Sequence, residues 1–349
     1  MTQALALAGF LRSAGHDLIR VLVGTSPFRS VPEYFGRRIQ APLETFDAPT
    51  QVPDRAGQGA SAGATLWDVA VRTPAFLRGA ARIRSATRGA DVVVNFLDLM
   101  AGLSRLWPGT HTPSVAVAHN YLFLHPRLGR LPGPALTRRL VMTYVRATAA
   151  RCETRIALSF GPMGEAGGDR LAVAPPLLRP GLEALHVSDG DYLLAYALNP
   201  GYGAVLAEWQ RRHPEVPVHC YLDGGTAALK DPPPDGFHAH ALNDEAFLRH
   251  LAGCRAYVGS AGFESICEAL YLGKPALAVP TAGHFEQTLN GWDAQRAGAA
   301  RVGSYHDVGE FWAEPPVPSA RTVSDFRSWV ARAPETIVGL IERAASGAR

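Results

Sequence analysis

Gly259-Ser260-Ala261-Gly262-Phe263-Glu264-Ser265-Ile266-Cys267-Glu268-Ala269 follows the apolar run Ala256-Tyr257-Val258, and the change of period inside this stretch decides the fold. The short, continuous apolar run is that of a buried strand. From Phe263 onward the apolar residues fall at i, i+3, i+4 and i+7 (Phe263, Ile266, Cys267, Leu270), the stripe of an amphipathic helix. The small residues between them make a strand-to-helix turn. Its backbone N–H groups stand at the positive end of a helix, a ready site for phosphate oxygens. The opposite face carries Glu264, Ser265 and Glu268. Carboxylates at i and i+4 repel by about 0.2–0.5 kcal/mol on a bare helix. Glu264 suits the first turn, whereas Glu268 lies a turn deeper and needs another reason. An ionised carboxylate accepts from two donors at once, which matches the paired hydroxyls of a ribose.

Gly273 then stops the helix and Pro275 keeps it stopped. A strand at Ala276-Leu277-Ala278-Val279 leads through Pro280-Thr281-Ala282-Gly283 into a second helix, over residues 285–297. Glu286, Gln287 and Asn290 share its polar face and are suited to sugar hydroxyls, while Phe285, Leu289 and Trp292 form its buried face. Either loop alone reads as an ordinary cap or solvated turn. Two of them at successive strand ends of one sheet favour a ligand site.

Working outward, the same alternation recurs. Strands are expected at residues 18–24, 91–95, 114–118 and 155–158, with helices at 2–14, 66–84 and 135–149 between them. After Ala174-Pro175-Pro176-Leu177-Leu178-Arg179-Pro180-Gly181, a rigid connector, the pattern restarts with strands at 192–197 and 216–222 and helices at 203–212 and 244–252. The tail holds helices at 326–332 and 335–345. Alternating strands and helices indicate parallel sheets covered on both faces. The expected architecture is α/β, with two Rossmann-like domains facing a cleft: residues 1–178, residues 179–323, and C-terminal helices over 324–349 packing back towards the first. Residues 48–64, rich in Pro, Gly, Ser and Gln, read as a surface loop.

The 349 residues carry 34 Lys and Arg against 31 Asp and Glu, with no basic block, so nothing asks for nucleic acid. No apolar run reaches the roughly 18 residues that span a bilayer. Cys152, Cys220, Cys254 and Cys267 are scattered without a C-x-x-C pair and read as reduced and intracellular. His16, His213, His238 and His240 show no metal-ligand spacing and no Asp-x-Asp motif occurs, so neither a metal nor another cofactor is implied. His119-Asn120-Tyr121 follows the strand at 114–118 on its carboxyl side, where a histidine can act as a base or orient an acceptor; as a bland alternative it is a hydrogen-bonded loop residue. Asn95 and Asp98 close the preceding strand.

The segments 259–269, 272–280 and 285–290, with Ala297-Gly298-Ala299-Ala300, resemble the nucleotide-sugar glycosyltransferases of the GT-B fold. The branch in question is the small bacterial and archaeal enzymes related to the lipid-linked N-acetylglucosaminyltransferase of peptidoglycan synthesis, with a family 28-like C-terminal domain. The resemblance covers about one-eighth of the chain. It implies a donor diphosphate on Ser260, Gly262 and Phe263, a ribose on Glu268, and a donor sugar facing Glu286, Gln287 and Asn290. Asn199-Pro200-Gly201-Tyr202-Gly203 matches in position that family's small-residue loop, which puts Asn199 and Gly203 beside the diphosphate. The reaction implied is metal-independent transfer of a sugar from a nucleoside diphosphate sugar, with UDP favoured, to an acceptor hydroxyl. His119 is the candidate catalytic residue. The acceptor class implied is a lipid-linked or cell-envelope glycan precursor, with peripheral membrane contact and a cytoplasmic location at the inner membrane face. A nucleotide-sugar epimerase of the same fold and a non-catalytic nucleotide-sugar binder are the alternatives.

In the resembled family a strand and a glycine-rich loop with a histidine precede the first helix. Here Met1-Thr2-Gln3-Ala4-Leu5-Ala6-Leu7 looks like that helix itself. The expectation is an N-terminal sheet lacking its first strand, a true start upstream of Met1, and a poor enzyme without that segment.

Overall fold

A computed structural model describes residues 1–27, 30–50, 52, 62–109, 112–164, 170–197 and 200–347. Asn199 and most of the loop expected at 48–64 lie outside the described residues. The described chain divides into two compact units, residues 1–52, 62–179 and 329–347 in the first and Pro180–Ser328 in the second.

The first unit runs α1 (Thr2–Ser13), β1 (Val21–Thr25), α2 (Glu33–Ile39), β2 (Leu43–Asp47), α3 (Ala62–Ala86), β3 (Val93–Asn95), α4 (Leu99–Ser104), β4 (Ser114–Ala118), α5 (Ala135–Thr148), β5 (Thr154–Leu158) and β6 (Leu171–Ala174). Its strands form two parallel sheets. β1 pairs with β2, and β3, β4, β5 and β6 pair in sequence order. Among the described residues β1 has no ladder to β3, so the single N-terminal sheet of the sequence reading is two sheets here. They come close at Gly24, where an added Cβ would lie 3.2 Å from the Asp98 carboxylate that caps α4. Gly24 is small because the chain passes tightly there.

In the second unit β7 (Leu193–Ala197), α6 (Pro200–Arg212), β8 (Val218–Leu222), β9 (Phe237–Ala241), α7 (Asp244–Gly253), β10 (Ala256–Ser260), α8 (Phe263–Leu272), β11 (Ala276–Val279), α9 (Phe285–Arg296), β12 (Arg301–Val302) and α10 (Val308–Ala313) build one six-stranded parallel sheet in the order β12-β11-β10-β7-β8-β9. Side chains alternate between its faces. One face is aliphatic, with Leu193, Val218, Val258 and Leu277 packed under Leu206 and Phe311. The other carries Tyr196, Tyr221 and Tyr257, whose rings meet Phe247 of α7 edge-on at 5.3–6.0 Å.

The tail crosses back through α11 (Ala320–Val330) to α12 (Ala333–Ala345), which lies against β4, β5 and β6 of the first unit. Ile337, Val338, Ile341 and Ala344 are its buried stripe. Trp329 anchors the return, its indole N–H donating to the Ser159 carbonyl at 3.0 Å. Among the described residues no helix is long and apolar enough to cross a membrane.

Removing three methyl-sized groups from this seam should leave a cavity. Ile337→Ala is expected to destabilise the protein by about 2–5 kcal/mol, read as a lower midpoint in urea. An unchanged midpoint would mean that α12 does not contribute to the first unit's core.

Candidate nucleotide-binding site in the second unit

β10 is buried along its whole length, and its last residue, Ser260, is 3% exposed. Gly262 is the N-cap of α8, with φ −80° and ψ 129° and no side-chain cap hydrogen bond. Residue 262 itself therefore offers the first turn of α8 no side-chain acceptor of the kind that Ser, Thr, Asp or Asn would supply. Phe263 turns inward and is buried, while Glu264 and Ser265 are half-buried beside the turn. The macrodipole adds to the positive potential at this point.

Neither a left-handed φ nor a steric clash makes Gly262 a glycine, although glycine is favoured over alanine at an N-cap. Its φ is open to any residue, and an added Cβ would meet nothing nearer than Ser265 Oγ at 3.7 Å. Leaving the Cβ out therefore opens space over the helix N-terminus, as a ligand approaching the backbone requires. Gly203 is the opposite case. A Cβ there would press on the Leu222 methyls at 2.9 and 3.0 Å and on Leu229 at 3.1 Å. Its smallness lets α6 sit close on β8, so packing accounts for Gly203 without any diphosphate.

Other predicted residues are differently placed from the sequence reading. Glu268 does not lie on an open polar face; it is 0% exposed, because α8 is enclosed on that side as well. Gln287 and Asn290 belong to the buried face of α9, together with Leu289 and Asp293, whereas Phe285 and Trp292 are only half-buried. Gln287 Oε1 accepts from the Thr281 N–H at 2.8 Å and closes the loop before α9. Asn290 Nδ2 donates to the Ala261 carbonyl at 3.1 Å and ties α9 to the glycine turn. Both amides hold loops in shape, which leaves half-buried Glu286 as the exposed-side candidate for a sugar. Lys274, 2% exposed, fixes the far end of α8. Its ammonium donates to the Ser188 carbonyl at 2.6 Å and to Asp189 at 3.3 Å.

In the first unit His119 opens a short 3-10 helix and is 3% exposed. Its Nδ1 lies 2.8 Å from the Leu158 carbonyl and must carry the proton, since a carbonyl only accepts. Phe123 and Phe160 pack on the ring at 5.0 and 6.0 Å. The expectation of an accessible base at the strand end is corrected by this enclosure. Asn95 and Asp98 have structural work: Asn95 bonds the Asp98 and Thr148 carbonyls, and Asp98 caps α4 through Ala101 N–H.

Sequence spacing also missed a group of histidines. His219, His240 and His250 come together, each offering a ring nitrogen within 4.8 Å of the others. His238-Ala239-His240 held the clue, because alternate residues of a strand share a face.

The two glycines should separate in a thermal melt. Gly262→Ala meets no clash, and the entropy it removes from the unfolded chain offsets the loss of a preferred N-cap residue, so stability is expected to stay within about 0.5 kcal/mol of wild type. Gly203→Ala should lower stability by about 1–3 kcal/mol through overpacking. Equal losses in both would remove the argument that the space at Gly262 is not needed by the protein itself.

The comparisons with known proteins agree with this architecture. A search of curated proteins found no match. Among solved structures, the calicheamicin glycosyltransferase CalG4 superposes with a TM-score of 0.57 at 18% identity, covering 97% of this chain and 94% of its own. MurG of Acinetobacter baumannii gives 0.53 at 15% identity, covering 98% and 95%. LpCGTa, solved in complex with UDP, gives 0.57 at 14% identity, covering 97% and 95%. These likenesses establish the two-domain GT-B fold. The family model for glycosyl transferase family 1 matches residues 134–314, a little over half the chain and all of the second unit's sheet, and the chain belongs to that family.

Proposed function

We propose that this glycosyltransferase moves a sugar from a nucleoside diphosphate sugar, with UDP as the favoured nucleotide, to an acceptor hydroxyl without a metal on the diphosphate. The observation that carries this reading is the N-terminus of α8 at the end of buried strand β10, where Gly262 contributes no side chain and leaves the space that a Cβ would fill. The barrier in such a transfer is departure of a charged diphosphate from an oxocarbenium-like carbon. Backbone N–H groups of Phe263 and Glu264 and the dipole of α8 can receive that charge as it develops. They are already oriented by a buried strand, and fixed donors of this kind are worth about 3–4 kcal/mol each in comparable sites. The UDP complex of a structure with the same fold supports the choice of nucleotide.

In this reading Glu268 accepts from the ribose hydroxyls. Its complete burial then requires the nucleotide to displace what covers it, a local opening above α8. Glu286 faces the donor sugar, and Gln287 and Asn290 keep the two loops in register. The acceptor class proposed is a lipid-linked or envelope glycan precursor, met at the inner face of the membrane.

Calorimetric titration with UDP should show saturable binding. Glu268→Gln preserves shape and removes the charge, and is expected to cost about 2 kcal/mol, roughly thirtyfold in affinity. Unchanged affinity in the folded variant would assign Glu268 to the protein interior. UDP-sugar incubated without acceptor should stay intact or hydrolyse slowly. Conversion to a different UDP-sugar would mean an epimerase instead.

A further inference from the structure

The histidine group in the second unit lies outside the proposed donor site. In the sheet order, β8 is two strands from β10, and β9 is the edge beyond it. His219 of β8 and His238 of β9 are register partners, as are Tyr221 and His240, so all four side chains leave the same face of the sheet. α7 crosses that face and brings His250 down onto it. The rings of His219, His240 and His250 have centroids 4.4–5.1 Å apart, pair by pair.

We propose that His219, His240 and His250 form a binding site for one divalent transition-metal ion of the zinc class, joining edge strand β9, strand β8 and helix α7. His219 Nδ1 and His240 Nε2 already face each other at 2.9 Å. Two nitrogens bound tetrahedrally at about 2.0–2.1 Å from zinc stand about 3.3 Å apart, so the pair must open by a few tenths of an ångström and each ring must turn its lone pair off the line between them. The hydrogen now shared between them moves to the far nitrogen of its own ring, and no net proton has to leave.

His250 is held for the same role from two directions. The Tyr221 hydroxyl lies 2.8 Å from His250 Nδ1, and the Tyr192 hydroxyl donates to the His250 carbonyl at 2.7 Å. With Nδ1–H donating to Tyr221, Nε2 is the nitrogen left for a metal, the arrangement in which a bound imidazole is fixed through its other nitrogen. Partial burial and mutual proximity hold all three imidazoles below the ordinary histidine range, His219 down to about 4. Three imidazoles with no carboxylate select zinc, nickel or copper and not magnesium or calcium. The site is thus chemically distinct from a magnesium ion on a diphosphate.

Zn²⁺ titrated calorimetrically into metal-free full-length protein should bind one-to-one, and Mg²⁺ should not. His240→Gln and His250→Gln should each weaken Zn²⁺ binding by roughly tenfold or more, whereas His213→Gln, at a surface histidine elsewhere, should not. Wild-type protein provides a second reading that needs no variant. In histidine side-chain NMR spectra Zn²⁺ should move the resonances of His219, His240 and His250 first. Absence of saturable Zn²⁺ binding, equal binding in all the variants, or shifts confined to other histidines would overturn the proposal.

Discussion

The second unit depends on one constraint: a fully buried parallel strand must end, and a helix must begin, within the space of Ala261 and Gly262. β10 is bonded to β7 on one side and β11 on the other, so its carboxyl end cannot shift. The helix that follows is fixed by Phe263, Ile266, Cys267 and Leu270 on its apolar face and by Lys274 behind its last turn. With both ends held, the first N–H groups of α8 point from a rigid frame. In the proposed transfer, dipoles that need no reorganisation as charge develops stabilise it most effectively. Here that stiffness comes from sheet and core, and Asn290 extends it by tying the next helix to the same turn.

Most of the core architecture was legible in the sequence because central strands are read from apolar runs. β4, β7, β10 and β11 are buried on both faces, and each appears as an unbroken stretch such as Ser114-Val115-Ala116-Val117-Ala118. The strands that escaped notice are β2, β6, β9 and β12, and each of them is a sheet edge. β6 and β12 are only four and two residues long, and in the other two, polar residues that meet solvent interrupt the apolar pattern. Leu43-Glu44-Thr45-Phe46-Asp47 and Phe237-His238-Ala239-His240-Ala241 show this directly. Missing β9 hid the histidine group, since its members share a face only once that strand is recognised.

The site divides along the same line. Ser260, Gly262 and Phe263 stand at the strand end and the helix start, as the change of period in the sequence predicts. Residues judged by side-chain polarity were harder. Glu268, Gln287 and Asn290 are polar and were read as facing outward, yet all three are buried. Two of them satisfy backbone groups of loops, a use that sequence periodicity does not distinguish from ligand binding. His119 belongs with them, a polar residue enclosed by aromatic rings with its Nδ1 proton on a carbonyl.

A crystal structure with UDP bound would show where the nucleotide's diphosphate rests. Phosphate oxygens are expected within hydrogen-bonding distance of the backbone N–H groups of Phe263 and Glu264, in the space that Gly262 leaves open. UDP bound in the second unit with its phosphates away from the N-terminus of α8 would contradict this placement.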